Sequence, residues 1–439
     1  MSNEHINWKP IEKIVFRFFF TFFILLILPL DQKFFSSFFT EGVDFFFSLF
    51  AWANYAPTFI SQEASIQIID LLFVAAISII ITIFWSWKQK EVKNYNNLYQ
   101  LLRVVLRYKL AAIFLVYAFI KIFPLQIPFP TLSELNTPYG HFTPAKVFEL
   151  TVGVAKARYQ ETIGLLELAA VLLLLFRRTA TLGAITAAGI LLNIVLAAFA
   201  YETGDQIYTS YLFGVAIFLM VYDLPRMYQL LLEKPVKPNQ KKFILKDGWQ
   251  TKTRVVLKSS FFVIGCFYAV SAYSKYKNEP YALPQTAALS DAYGFYNVEE
   301  FKLNNETIPY SLTHPERWKN VVFEKWGTLS IDQAQDFPVD PYWGGVKNLD
   351  AIDRTFESSG TSGRKYFDYQ VDEKEQILHL QNKNKQARDE KLTLQYFRPD
   401  DQTIIISGQN ADADSIHAVL RKVDKKYLLL EGRRKPIKL

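Results

Sequence analysis

Seven apolar stretches, each near the length a bilayer demands, fix the setting of this chain. They run over 12–30, 66–87, 110–128, 161–176, 181–201, 207–222 and 255–273. A helix needs about 20 apolar residues to cross a hydrocarbon core of ~30 Å. The loops between the stretches are unequally charged. One alternate set, around Lys9 and Lys13, 88–109, Arg177 and Arg178, and 226–258, holds nineteen Lys and Arg, and the opposite set holds four: Lys33, Lys146, Lys156 and Arg158. Positive loops stay in the cytoplasm. The expectation is an inner-membrane protein with its N-terminus inside and everything beyond about Lys275 in the periplasm or another extracytoplasmic space.

The basic residues that make the net charge +7 sit where this orientation rule places them, so the sequence gives no call for a nucleic-acid partner. Membrane lipids are the partners expected first. One cysteine, Cys266, allows neither an internal disulfide nor a Cys-x-x-Cys pair. The first stretch carries Phe18, Phe19, Phe20, Phe22 and Phe23 and lacks a small-residue cleavage pattern after it, which predicts a retained anchor. Between the first two stretches, Phe35, Phe38, Phe39, Phe46 and Phe50 fall near helical spacing, as in an interfacial helix. Arg103, Arg107 and Lys109 suit a helix rising from the cytoplasmic surface, where long basic side chains reach headgroups. The Pro- and Lys-rich linker over 234–254 suits a cytoplasmic loop on anionic lipid.

Polar groups inside the apolar stretches carry most of the functional information. Lys121 lies near the outer end of the third, just before Pro124. Glu167 is about 9 Å into the fourth at 1.5 Å per residue. Asn193 reaches a comparable depth in the fifth, eight residues from Tyr201. Ionisable groups at such depth are costly and face a partner or a wet cavity. One arrangement is a shared outward-facing pocket of Lys121, Glu167 and Asn193, with Gln126, Tyr117, Tyr201 and Tyr208 at its mouth. The other is a structural Lys121–Glu167 pair that only holds the helices together. Gly183, Ala184, Ala187, Ala188 and Gly189 give the fifth stretch a small-residue face for close helix packing.

Three runs stand together between residues 97 and 232: Tyr117-Ala-Phe-Ile-Lys121-Ile-Phe-Pro124, Gly164-Leu-Leu-Glu167-Leu-Ala-Ala, and the Leu-rich run ending Phe176-Arg-Arg-Thr179. On these runs the segment resembles the DoxX family of four-helix membrane proteins. It implies that Lys121 and Glu167 occupy the family's polar positions. It also implies a link to quinone-coupled oxidation or membrane redox complexes, with a quinone or a bound lipid as ligand. The chain departs from the pattern in its two preceding stretches (1–96), its later loop and seventh stretch (233–288) and its external domain (289–439).

That last domain alternates. Leu378 and Leu380 stand against Ile377 and His379, and Leu392, Leu394 and Tyr396 against Thr393 and Gln395. Nine strands are expected: 293–303, 320–324, 327–331, 365–371, 376–381, 391–397, 403–407, 415–422 and 426–430. Turn-rich runs such as Ser358-Ser-Gly-Thr-Ser-Gly363 separate them. The fold class predicted is a polytopic helix bundle followed by a mainly-β domain. That domain reads as a meandering, lipocalin-like barrel that folds by itself from about Leu289, its interior either hollow or filled. Asn410-Ala-Asp-Ala-Asp414 lacks the glycine and distal glutamate of a calcium loop and reads as a turn. The histidines show no ligand spacing, and none lies in an apolar stretch, so no metal or bis-histidine haem site is expected.

Three functions stay open: a protein binding a lipophilic ligand or partner with the β domain as recognition module, a subunit of an envelope complex, and a quinone-linked oxidoreductase subunit.

Overall fold

The computed structural model describes residues 8–30, 34–35, 44–61, 65–155, 159–233, 248–278, 283–335, 337–341, 350–410 and 413–431. Part of the Phe-rich stretch (36–43) and most of the basic linker (234–247) lie outside the described residues. The chain forms two compact units, Met1–Phe123 with Gln160–Ser274 and Pro124–Tyr159 with Lys275–Leu439. Residues 124–159, contiguous in sequence with the expected 97–232 bundle, thus belong to the same unit as the β domain.

The first unit is helical. Its helices are α1 (Pro10–Ile27), α2 (Phe45–Asn54), α3 (Ile68–Lys88) and α4 (Asn96–Ile122). In the second unit lie the short α5 (Leu132–Leu135) and α6 (Pro144–Val154). The first unit resumes with α7 (Tyr159–Leu175), α8 (Ala180–Tyr201), α9 (Gln206–Val221), α10 (Leu224–Leu231) and α11 (Gly248–Asn278). Helix α4 is central, with an unbroken buried run from Lys109 to Val116. Helix α2 is capped by Asp44, which accepts from Phe46 N at 2.9 Å. Phe46 is buried and stacks on Tyr268 at 5.1 Å, while Phe45 and Trp52 on other faces are exposed. The α7–α8 hairpin is tight because a Cβ on Gly183 would meet Leu174 N at 2.7 Å.

Among the described residues three helices are long and apolar enough to cross a bilayer: Ile68–Lys88, Ala180–Tyr201 and Thr251–Asn278. Helices α9 and α10 make a fourth if counted as one span bent by 67°. The expected seven are therefore not all supported. Helix α1 carries Glu12, Lys13 and Arg17, and α4 carries Arg103, Arg107, Lys109 and Lys121, while α7 has only 17 residues. Two of these charges find partners within the unit. Arg17 donates to Tyr95 Oη at 2.7 Å, Ser86 Oγ at 2.7 Å and Gln89 O at 2.8 Å. Lys109 donates to Tyr55 O at 3.0 Å.

The second unit holds strands β1 (Gly294–Leu303), β2 (Glu306–Thr307), β3 (Asn320–Phe323), β4 (Thr328–Asp332) and β5 (Lys365–Asp372). Strands β6 (Ile377–Asn382), β7 (Lys391–Asp400), β8 (Thr403–Gln409) and β9 (Ser415–Val423) complete it. Apart from the two-residue β2, each strand pairs antiparallel with the next, and β9 returns to β1, closing an eight-stranded meander barrel. The closing register runs from Phe295↔Val423 to Leu303↔Ile416 with a bulge between Val298 and Glu300. Alternation works as expected: Leu378, Leu380, Leu392 and Leu394 point into a core with Tyr296, Phe301, Phe323 and Phe367. These side chains form one buried apolar cluster. The ninth expected strand, 426–430, is corrected: Leu428–Glu431 is a short helix, α12. Once β9 pairs with β1 no free edge remains for another strand.

One side of the barrel has a second buried layer. Val322, Thr328, Ser330 and Tyr366 point outward by strand alternation yet are buried, beside the 131–154 segment and the 355–364 loop. Thr143 N donates to Gly360 O at 2.8 Å and Ser362 N to His141 O at 3.0 Å. Gly360 sits at φ 68°, and a Cβ there would meet Lys146 Cβ at 2.8 Å. The barrel of residues 283–431 made alone is therefore expected to melt at least ~5 °C below the same barrel joined to residues 124–155, because the hydrogen bonds between them, those of Ser133 to the Glu324 carboxylate included, are lost. Circular dichroism melts compare the two, and equal midpoints would show that this cover adds nothing.

Candidate functional site

Two buried polar clusters stand out, one in each unit. In the helical unit, Gly164 and Glu167 are three residues apart and share a face of α7. A Cβ on Gly164 would meet Ala118 O at 2.6 Å and Ile122 N at 2.9 Å, so α7 approaches the last turn of α4 closely. That approach brings Lys121 Nζ onto Glu167 Oε1 as a hydrogen-bonded ion pair. The Glu167 side chain is 3% exposed and that of Lys121 15%. Glu167 Oε2 is buried and has no hydrogen-bond partner among the described residues. The Lys121 ammonium also lies 5.0 Å from the Tyr117 ring centroid. Glu167 and Asp205 are within electrostatic range of Tyr117, as Tyr117 and Tyr211 are of Tyr208. Tyr208 donates to Asn54 Oδ1 at 3.2 Å, and the buried Tyr211 hydroxyl has no partner among the described residues.

The other residues of the expected pocket fall elsewhere. Asn193 is exposed, because the buried face of α8 runs through Ala184, Ala187, Ala188 and Leu191, and Asn193 follows two positions after it. Tyr201 is exposed at the end of the same helix. Gln126 is half-buried in the barrel unit. Sequence spacing did not single out Tyr211 or Asn54. A separate apolar groove between α1 and α3, lined by Ile14, Phe18, Ile79 and Ile83, shares none of these polar residues.

In the barrel unit the second buried layer is charged. Lys383 Nζ bonds Glu357 Oε1 at 2.8 Å, and neither side chain is exposed. Glu357 also accepts from Thr328 Oγ1 at 2.7 Å and Trp326 Nε1 at 2.9 Å. Lys146 pairs with Glu134 at 2.5 Å, donates to Phe356 O and lies 3.9 Å from the Phe356 ring centroid. Arg364 donates to Ser330 Oγ at 2.8 Å and Asn320 Oδ1 at 2.6 Å. Glu324 Oε1 accepts from Ser133 N at 2.7 Å and Ser133 Oγ at 2.6 Å, and Oε2 accepts from Leu132 N at 3.3 Å. Burial pushes the Glu324 carboxyl up to about 7; the nearby Glu357 adds to this, and the Ser133 and Leu132 bonds oppose it. Burial likewise raises Asp368 and Tyr366, and the Tyr366 hydroxyl and Asp368 Oδ1 have no partner among the described residues.

Nothing in the sequence marked this cluster. Lys146 read as an external loop charge, and the Ser358–Gly363 run as a turn. The detectable signal is the pair of glycines in that run, since a Cβ on Gly363 would meet Thr137 at 2.9 Å. Among the described residues no group of three His, Cys, Asp or Glu is placed to hold a metal ion. The chain matches no protein-family model, no curated protein and no solved structure.

Proposed function

We propose that this chain is a DoxX-like protein of the inner membrane with seven crossings, N-terminus in the cytoplasm and barrel outside, which binds a lipophilic molecule with a polar head at Lys121 and Glu167. The observation that carries the reading is Glu167 Oε2, a carboxylate oxygen buried among apolar helices without a hydrogen-bond partner among the described residues. Such an acceptor is expensive to leave open, and a ligand hydroxyl or amide fills it. The ammonium of Lys121 beside it supplies a donor for the same head group. The seven crossings draw support from the internal satisfaction of Arg17, Lys109 and Lys121, three of the charges that make α1 and α4 look too polar to span. The loop-charge asymmetry supplies the orientation. The barrel serves on this reading as a recognition or docking module, whether the chain works alone or as a subunit of an envelope complex.

A second reading is a quinone-linked oxidoreductase subunit. The adjacent donor and acceptor at Lys121 and Glu167 favour it, since a hydroquinone hydroxyl matches the open carboxylate oxygen.

Native mass spectrometry of protein extracted into lipid nanodiscs tests the site. Wild type is expected to carry a bound lipophile, and Glu167→Gln with Lys121→Met to stay folded and lose it. If the pair is structural only, each single replacement destabilises the helices and the double replacement restores them, with no ligand lost. The nature of the retained molecule, a quinone or a lipid, separates the two readings.

A further inference from the structure

Glu324 is unusual among the buried charges of the barrel unit. Lys383 neutralises Glu357 and Lys146 neutralises Glu134, but no cation contacts Glu324 among the described residues. All three hydrogen bonds to its carboxylate come from Leu132 and Ser133, nearly 200 residues away in sequence, separations of 192 and 191. The carboxylate and the segment it holds therefore come from different pieces of the chain. Ser133 Oγ also bonds Ser330 Oγ at 2.7 Å, where either oxygen can donate, and Ser330 Oγ accepts from Arg364 at 2.8 Å. A proton added to Glu324 is accommodated there, because the serine hydroxyls can reverse their roles.

We propose that Glu324 is a proton-operated latch that seats residues 131–135 on the barrel when protonated and loosens them when ionised. The groups facing it come from every neighbouring element. Ser133 comes from α5 and Ser330 from β4. Glu357 lies on the 355–364 loop, Arg364 just before β5, and Tyr366 and Tyr369 on β5. Tyr293 precedes β1 and Tyr427 follows β9. Arg364 is the one cation in this set, and it is committed to Ser330 and Asn320.

The sign follows from linkage. Burial under the seated segment pushes the Glu324 carboxyl up to about 7, and lifting the segment admits water and lowers it toward the ordinary 4.5. The seated state therefore binds the proton more tightly, its advantage is full below about 4.5, and it is lost as pH rises through about 7. Local opening of 131–135 is expected to increase on the order of 100-fold between pH 5 and pH 8.

Hydrogen exchange on the full-length protein in nanodiscs tests this, with peptides covering 131–135 and rates corrected for intrinsic pH dependence. Wild type is expected to show the rise, and Glu324→Gln to show opening that does not vary with pH. A flat wild-type profile overturns the proposal and needs no variant to fold. So does a Glu324→Gln profile as steep as that of wild type, which would assign the effect to Glu357 or another neighbour.

Discussion

Replacing Lys383 by Met is expected to destabilise the barrel unit by about 3–5 kcal/mol, enough to remove much of the stability of a domain this size. Its partner Glu357 is buried with it at 0% exposure, and Thr328 and Trp326 would remain as neutral donors to an uncompensated carboxylate. Adding Glu357→Gln should recover most of the loss, because the amide oxygen can take the Trp326 bond, the amide nitrogen can donate to the Thr328 hydroxyl in reversed sense, and no charge is left stranded. Equilibrium denaturation read by tryptophan fluorescence measures both. A Lys383→Met protein within ~1 kcal/mol of wild type would mean that water reaches Glu357 and that the layer outside the barrel is not dry.

The second large effect belongs to the helical unit. Gly164→Ala places a Cβ 2.6 Å from Ala118 O and 2.9 Å from Ile122 N, both backbone atoms that cannot swing aside. Helices α4 and α7 must separate, at a cost of roughly 1–3 kcal/mol for overpacking. The separation falls next to Lys121 and Glu167, so the ion pair should lengthen as well. Thermal unfolding in nanodiscs should show a lower midpoint, and any ligand found at the site should bind more weakly. A control at Gly189 on α8, where an added Cβ meets nothing within 4 Å, should leave both unchanged. If both substitutions behaved alike, the close approach of α4 and α7 would not matter to the site.

What the sequence revealed depended on periodicity. Eight of the nine expected strands form because alternation of Leu, Ile and Tyr with polar residues is a local property that survives folding. The 426–430 segment has three consecutive leucines and no alternation, so nothing local distinguishes a strand from a helix there. Barrel closure was legible only as a class, since pairing of β1 with β9 joins residues far apart in the chain. Lys121 and Glu167 were found through their positions within apolar stretches, which the sequence displays directly. Asn193 has a comparable position in its own stretch, but its direction around α8 depends on which helix face packs inward. The charged layer of the barrel unit was invisible for a different reason. Glu134 and Lys146 belong to a polar connecting segment, and only the tertiary fold removes them from water.

The way the second unit is assembled also sets a timetable for its synthesis. Ser133 leaves the ribosome 191 residues before Glu324, its partner. At ~5–20 residues per second that interval is roughly 10–40 s. For that time Glu134 and Lys146 can pair with each other but have no barrel to bury them, and the later helices are made meanwhile. The barrel in turn cannot close until β9, near the end of the chain, reaches β1. A truncated or stalled product would therefore display an uncovered, charged connecting segment for as long as it lasted, a difference in surface between unfinished chains and finished ones.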